Sequence, residues 1–463
     1  MFLQPNWIAA ACEGKWLPEA PRDPFVGVHF DSRLIGPGEL FVALRGPLRR
    51  GSDFIRDAFE RGATAAIVEQ PGSFPFPVLV VPDALRALQN LGKRARDEFG
   101  GTVVGITGSN GKTSTKDLLL RLLGPDEAAG TRGNFNNHIG LPWTLLHLLA
   151  GTPNARVAVL ETGINHPGEM VSLRDLLRPD IGMLTSVGRA HLGHFSSLEE
   201  LAAEKAGLLP RDGWSAVSGG VLRFKEVRDG LTAGSIVALE EGAEMAPGHS
   251  HWEVIRYSLR PSATGLVVST KPGEFPSVTF EMASNSRGMA SNAVLAGAVA
   301  MRLGVEARAL PERFAAWKPS SLRGEIIRRE GVLYYLDCYN ANPESMRDSL
   351  EAFHRLTPGG ARCFFLGSME ELGPREEAIH EEIGSLLPLR PGDEVVLVGR
   401  LADAYRRGMS SAALDESIRV GVFPDAESAR DWKSEAPARF FKASRSVALE
   451  KLVEKNNGEG GSC

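Results

Sequence analysis

Short apolar runs alternate with amphipathic, helix-spaced stretches along most of the chain. That alternation predicts α/β architecture with largely parallel sheets. In the N-terminal block, the runs at 40–44, 65–69 and 78–81 predict strands, 54–62 a helix, and 84–99 a longer helix broken by Gly100-Gly101. A strand at 102–107 leads through a glycine-rich loop at 108–111 into a helix over 112–123, and buried strands follow at 157–161 and 182–187. Between about 214 and 283 the pattern changes to short strands (235–239, 252–259, 265–269, 277–282) with Gly/Pro/Ser turns. These predict an antiparallel insertion, closed by a small-residue helix over 291–303. Strands at 332–337, 362–366 and 394–398 alternate with helices at 344–356 and 375–387. Two consecutive βαβ units predict another doubly wound sheet. The tail 456–463 is expected to be disordered.

The chain therefore reads as three domains: 1–100, a central phosphate-loop domain over 101–305, and 306–463. Its 463 residues are too many for a single core. A net charge of -5 is small for this size and argues against nucleic acid or a charged membrane surface as a general partner. The cysteines Cys12, Cys338, Cys363 and Cys463 are far apart and form no CxxC pair, which argues against a zinc or redox site and for reduced thiols in a cytoplasmic protein. No signal peptide and no membrane span are expected, because the N-terminus lacks a basic-then-apolar leader and no run reaches about 18 apolar residues.

The strongest chemical signal is Thr107-Gly108-Ser109-Asn110-Gly111-Lys112-Thr113, set between an apolar strand and a helix. Glycines let backbone N–H groups turn toward a phosphate, and the helix N-terminus adds partial positive charge. Lys112 would reach the β- and γ-phosphates of ATP, and Thr113 would offer a hydroxyl to Mg²⁺. The spacing is not the general one, since Ile106 rather than a glycine lies five residues before Gly111.

Glu161 ends an apolar strand, where a carboxylate faces the ligand crevice of an open α/β sheet and suits Mg²⁺; capping a neighbouring helix is the alternative. His191 follows another strand and has a metal, a phosphate or a structural role open to it. Ser197-Leu198-Glu199-Glu200 has the form of a capping box, so a helix starts there. Lys205 falls on that helix's apolar face with Leu201 and Leu208. It either extends its amine to solvent or, desolvated and neutral, takes up CO2 as a carbamate able to bind Mg²⁺.

In order along the chain, TGSNGKTSTK, GNFNNHIGLP, ETGINHPGEM, AHLGHF and the helix bearing Lys205 resemble the Mur ligases of bacterial peptidoglycan synthesis. DSRLIGPGELFVAL, DFIRDAFERGA, YNANPESM, LGSMEELG and KASRS resemble the branch of that family that adds D-alanyl-D-alanine. The resemblance spans nearly the whole chain. It implies a UDP-sugar-binding N-terminal domain, an ATP-binding central domain and a C-terminal Rossmann-like ligase domain. It also implies a cytoplasmic, monomeric enzyme that uses ATP and Mg²⁺ to join D-Ala-D-Ala to UDP-N-acetylmuramoyl-tripeptide through an acyl phosphate.

By the same resemblance, Glu161, His191, Thr113 and a carbamylated Lys205 lie at the metal ions, and Asn136 and Asn137 line the central site. Ser32 and Arg33 belong to the UDP-sugar site. Asn292, Arg323 and Asp337 lie near adenine, γ-phosphate and ribose, and Tyr339, Asn340 and Asn342 face the dipeptide and acyl groups. Three places depart from the family pattern. Gly288-Met289 stands where His-Asn is usual, Ser368 where Asp is usual, and Arg50 and Ser52 replace an acidic residue and a histidine.

Overall fold

The computed structural model describes residues 3–74, 76–152, 154–190, 192–245, 251–262, 264–410 and 415–453. Three sheets organise them. The first has the order Lys15–Leu17, Val78–Val80, Ala65–Val68, Glu39–Val42, Gly27–His29, parallel except at its first strand. The helix Ala84–Glu98 buries Ala84, Ala87, Leu88, Leu91 and Ala95, the one-sided spacing that drives an amphipathic helix onto a core. Asp83 caps it by accepting from the Arg86 N–H at 2.8 Å. This helix packs on the helix Gly140–Gly151, so the first and second sheets share a continuous apolar core that includes Leu40, Leu88, Leu145, Leu160 and Leu208.

The second sheet has nine strands. Thr102–Thr107 is an interior strand, parallel to Val157–Glu161 on one side and Ile181–Leu184 on the other. Val103, Val104, Ile106, Val159 and Leu160 are each fully buried, which is why these strands read as unbroken apolar runs and not as alternations. The antiparallel part of this block is narrower than the sequence pattern suggests. Ile236–Glu240 is parallel to Trp214–Ser218, and Glu253–Pro261 is parallel to Ile236–Glu240. Only Leu266–Thr270 and Thr279–Met282 add antiparallel, and all extend the same sheet. Apolar alternation reports which face a strand buries but not its direction, so the parallel half was indistinguishable from hairpins.

The third sheet runs Glu325–Arg329, Val332–Asp337, Ala438–Lys442, Arg362–Gly367, Glu394–Val398, Arg419–Phe423, parallel after its first strand. Helices Pro343–Leu356, Glu376–Ser385 and Ala402–Ser410 bury Leu350, Phe353, Ile383 and Tyr405 against one face of it. No helix among the described residues is long and apolar enough to cross a membrane.

Candidate active site

The carboxyl ends of the central strands meet the C-terminal domain around a cavity of about 630 Å³. The phosphate loop forms its floor. Gly111 has φ +81°, and a Cβ there would stand 2.2 Å from Asn292 Nδ2, so the close approach of loop and helix requires glycine. The loop is fixed from behind by the chain that follows Ile181–Leu184. Ser109 N donates to Ser186 O at 2.9 Å, Asn110 N donates to Ser186 Oγ at 2.9 Å, and Thr185 Oγ1 donates to Asn110 O at 2.6 Å. Ser109 Oγ donates to Gly188 O at 3.1 Å. A loop held in this way presents its amides without reorganising.

Lys112 opens the helix Lys112–Leu123, and its Nζ donates to Gly108 O at 2.7 Å, across the mouth of the loop. Burial pushes its ammonium below the usual lysine range; Glu161 opposes that shift and Arg323 adds to it. Glu161, only 3% exposed, takes a hydrogen bond from Thr113 Oγ1 at 2.9 Å on one oxygen and from Asn136 Nδ2 at 2.9 Å on the other. Its backbone N–H donates to Thr131 Oγ1 at 2.9 Å. A carboxylate and a hydroxyl that close, beside a phosphate loop, form the hard-oxygen pair that Mg²⁺ prefers. Asn137 Oδ1 accepts from the Ile139 and Gly140 N–H groups and thereby starts the helix Gly140–Gly151.

From the C-terminal side, Arg323, Asp337, Tyr339 and Asn340 line the same cavity. The Arg323 guanidinium lies 3.8 Å above the Tyr339 ring centroid. The Asp337 carboxylate accepts from Lys442 Nζ at 2.7 Å and Ser349 Oγ at 2.5 Å. Lys442, 1% exposed, also donates to Asn340 O at 3.0 Å. Asn342 caps the helix Pro343–Leu356 and exchanges side-chain hydrogen bonds with Asn110. Arg189 ties the two domains further, pairing with Glu344 at 3.1 Å and Glu382 at 2.8 Å.

Of the residues singled out in the sequence, the structure brings Ser109, Asn110, Gly111, Lys112, Thr113, Asn136, Asn137, Glu161, Asn292, Arg323, Asp337, Tyr339 and Asn340 to one cavity. Gly108 supplies the carbonyl that Lys112 holds. His191 lies outside the described residues. Lys205 is 1% exposed and does not line the cavity. Its amine does not extend to solvent. Burial pushes its pKa far down, the neighbouring Lys112 charge pushes it further, and Glu204 opposes them.

Only half of the expected capping box forms ahead of Lys205. Ser197 Oγ accepts from Glu200 N at 3.1 Å, while the Glu200 carboxylate bonds Ser196. Ser32 and Arg33 lie away from this cavity, on the first domain; Arg33 is exposed and its guanidinium is held by Asp31 at 2.6 Å. Asp348 and Ser286 reach the site region without having been singled out, and Lys442, noted only as the first residue of KASRS, reaches it without having been given a role. Lys442 had a signal, since it ends an apolar run just as Glu161 does.

Comparison with known proteins agrees with this architecture. The Mur ligase catalytic domain matches residues 24–98, the Mur ligase middle domain 106–216, and the Mur ligase glutamate ligase domain 322–441. The chain is 30% identical over 448 residues to the UDP-N-acetylmuramoyl-tripeptide–D-alanyl-D-alanine ligase of Bacillus subtilis, covering 94% of each chain. It is 30% identical over 442 residues to that of Escherichia coli, again covering 94% of each. It superposes on a crystal structure of MurF from Acinetobacter baumannii with TM-score 0.82 at 26% identity, covering 97% of each chain. MurF from Thermotoga maritima in complex with ADP matches with TM-score 0.72 at 25% identity over 92% of this chain and 96% of that one. The chain belongs to the Mur ligase family.

Proposed function

We propose that this chain is an ATP-dependent ligase that joins D-alanyl-D-alanine to UDP-N-acetylmuramoyl-tripeptide, forming ADP and phosphate in peptidoglycan precursor synthesis. The observation that carries this reading is the convergence of a phosphate loop, a buried carboxylate and the Tyr339 and Asn340 side chains on one cavity between two domains. Relatives named for that ligation match along nearly the whole chain.

The chemical problem is that a carboxylate is a poor acyl donor. A carboxylate oxygen of the tripeptide attacks the γ-phosphorus, the bond to the β-phosphate oxygen breaks, and ADP leaves. The amine of the dipeptide then attacks the acyl carbon, the C–O bond to phosphate breaks, and the amine gives up a proton as the amide forms. Two anions must approach for the first step. Lys112, released from the Gly108 carbonyl, and the fixed loop amides neutralise the β- and γ-phosphates. Arg323, across the cavity, meets the transferring phosphoryl group. Mg²⁺ bound by Glu161 and Thr113 would neutralise phosphate charge; His191 and a carbamylated Lys205 belong to the same proposed set.

Asn136 orients Glu161, while Tyr339, Asn340 and Asn342 face the acyl and amine groups; Lys442 holds the Asn340 carbonyl and Asn110 the Asn342 side chain. Asn292 and Asp337 bind the adenosine half, and Ser32 and Arg33 the UDP-sugar. In this scheme residues 1–100 take the nucleotide-sugar, 101–305 the ATP and 306–463 the incoming amine. The buried, unpaired thiols of Cys12, Cys338 and Cys363 support a cytoplasmic location.

Phosphate release with ATP, UDP-N-acetylmuramoyl-tripeptide and D-Ala-D-Ala together, and not with either acceptor alone, is the expected result. Release with a single free amino acid in place of the dipeptide would assign the chain to another branch of the family.

A further inference from the structure

The helix Arg287–Arg302 begins at the cavity wall, and its first turn carries Gly288-Met289 where the family pattern has His-Asn. Gly288 and Met289 offer no polar side chain there, and the structure puts other polar groups beside them. Asp348 comes from the opposite domain, on the helix Pro343–Leu356, and lines the cavity. Its Oδ1 accepts from Arg287 N at 3.1 Å and from Gly288 N at 3.3 Å. Its Oδ2 accepts from Ser286 Oγ at 2.5 Å, and Ser286 in turn caps the helix by accepting from Met289 N at 2.8 Å. A carboxylate has about four lone-pair sites, so Oδ2 retains an acceptor position. Position 288 has no side chain to lie over it: a Cβ there would be 3.5 Å from that oxygen.

A second observation points to a ligand in the same cavity. Trp317 packs in one apolar cluster with Met289 and lines the cavity. It is 4% exposed, and its indole N–H has no hydrogen-bond partner. An unmade bond on a buried donor is costly unless a ligand completes it. An apolar wall of Met289 and Trp317 with one acceptor and one donor matches the edge of adenine, whose exocyclic amine donates beside ring nitrogens that accept.

We propose that Asp348 is the residue that selects the base of the nucleoside triphosphate, accepting a hydrogen bond from the exocyclic amine of adenine while Trp317 Nε1 donates to a ring nitrogen. This rests on the ligase reading above and adds to it the residues that distinguish one nucleotide from another. The acceptor stands on the helix Pro343–Leu356 and the donor on the segment between the helix Arg287–Arg302 and the C-terminal sheet, so base recognition draws on two separate stretches of the chain.

The test compares ATP with inosine triphosphate, which carries an oxygen in place of the amine, in phosphate release with both acceptors present. A hydrogen bond to a charged acceptor predicts that the unaltered enzyme prefers ATP by roughly tenfold or more in kcat/KM. Asp348→Ala brings that ratio toward unity by losing ATP use more than inosine triphosphate use. Asp348→Asn, which keeps an oxygen for the backbone N–H groups but turns an amide NH2 toward the base, shifts the ratio at least as far and toward inosine triphosphate, whose oxygen in place of the amine accepts, and Trp317→Phe weakens both nucleotides alike. Equal use of the two nucleotides by the unaltered enzyme, a preference for GTP, or an Asp348→Ala variant that loses both equally would overturn the proposal. The first comparison needs no variant to fold. Absence of phosphate release with ATP in the unaltered enzyme would instead remove the ligase reading itself.

Discussion

Asn110 and Asn342 exchange two side-chain hydrogen bonds, of 3.1 and 2.6 Å, across the boundary between the phosphate loop and the C-terminal domain. The same Asn342 oxygen accepts from Ser345 N at 2.9 Å and so caps the helix Pro343–Leu356. One amide thus couples the position of the nucleotide floor to the loop proposed to hold the acyl and amine groups. Asn110→Ala should remove only the bridge, and Asn342→Ala the bridge and the cap. Both are expected to raise the KM for ATP and for dipeptide several-fold. Only Asn342→Ala should also cost stability, about 1 kcal/mol for a lost cap, measured by denaturant unfolding. Unchanged KM values in both variants would show that the pair does not couple the domains.

Lys112 carries the second prediction. Its Nζ is bound to a loop carbonyl, and burial lowers its pKa, so it is a cation waiting for anions to replace that carbonyl. Lys112→Ala should reduce phosphate release by roughly two to three orders of magnitude, the scale seen when one preorganised donor is removed from developing charge. Release within tenfold of the unaltered enzyme would show that the loop amides suffice without it.

Much of this site was legible before any coordinates. The phosphate loop and Glu161 stand at the ends of apolar strands, and chain order alone puts strand ends at the ligand edge of a parallel sheet. Asp348 was not legible, because a polar residue on the helix Pro343–Leu356 carries no sign in the sequence of what its face meets. Only the docking of the C-terminal domain turns that face onto Ser286. Lys442 was missed because the short strand Ala438–Lys442 was not read as one. The helix starting at Arg287 was read as beginning at 291, one turn late, because Arg287-Gly288 breaks the apolar spacing; its lost first turn is the part that borders the cavity.

Lys205 allows a prediction with a definite sign. Its folded-state pKa is far below the ordinary 10.5, so between those two values the unfolded chain binds more protons than the folded one. Stability contributed through this group therefore rises with pH across that window. In CO2-free buffer, Lys205→Met should be more stable than the unaltered protein near neutrality, and the advantage should shrink as pH approaches 10.5. A difference that stays constant with pH would contradict the burial effect. If the amine carries a carbamate during turnover, Lys205→Ala loses phosphate release and short-chain acids restore part of it. Full activity without them would make Lys205 structural.

The last prediction concerns stability away from the cavity. Arg362 and Asp393 are both fully buried at the starts of the paired strands Arg362–Gly367 and Glu394–Val398, joined at 2.5 Å between Nη2 and Oδ2 and at 3.3 Å between Nε and Oδ1. Two further contacts hold the guanidinium, since Arg362 Nη2 also donates to Pro388 O at 2.5 Å and Nη1 meets the His354 ring at 3.2 Å. Asp393 further accepts from the Arg362 and Arg390 backbone N–H groups, both at 2.9 Å. Removing one partner strands a charge where water cannot reach it, so Asp393→Ala should cost about 3–5 kcal/mol. The double variant Arg362→Met/Asp393→Leu leaves no stranded charge and should recover most of that loss in the same denaturant measurement. If the double variant is as unstable as the single one, the backbone N–H groups that Asp393 holds, and not the ion pair, set the stability of this corner of the fold.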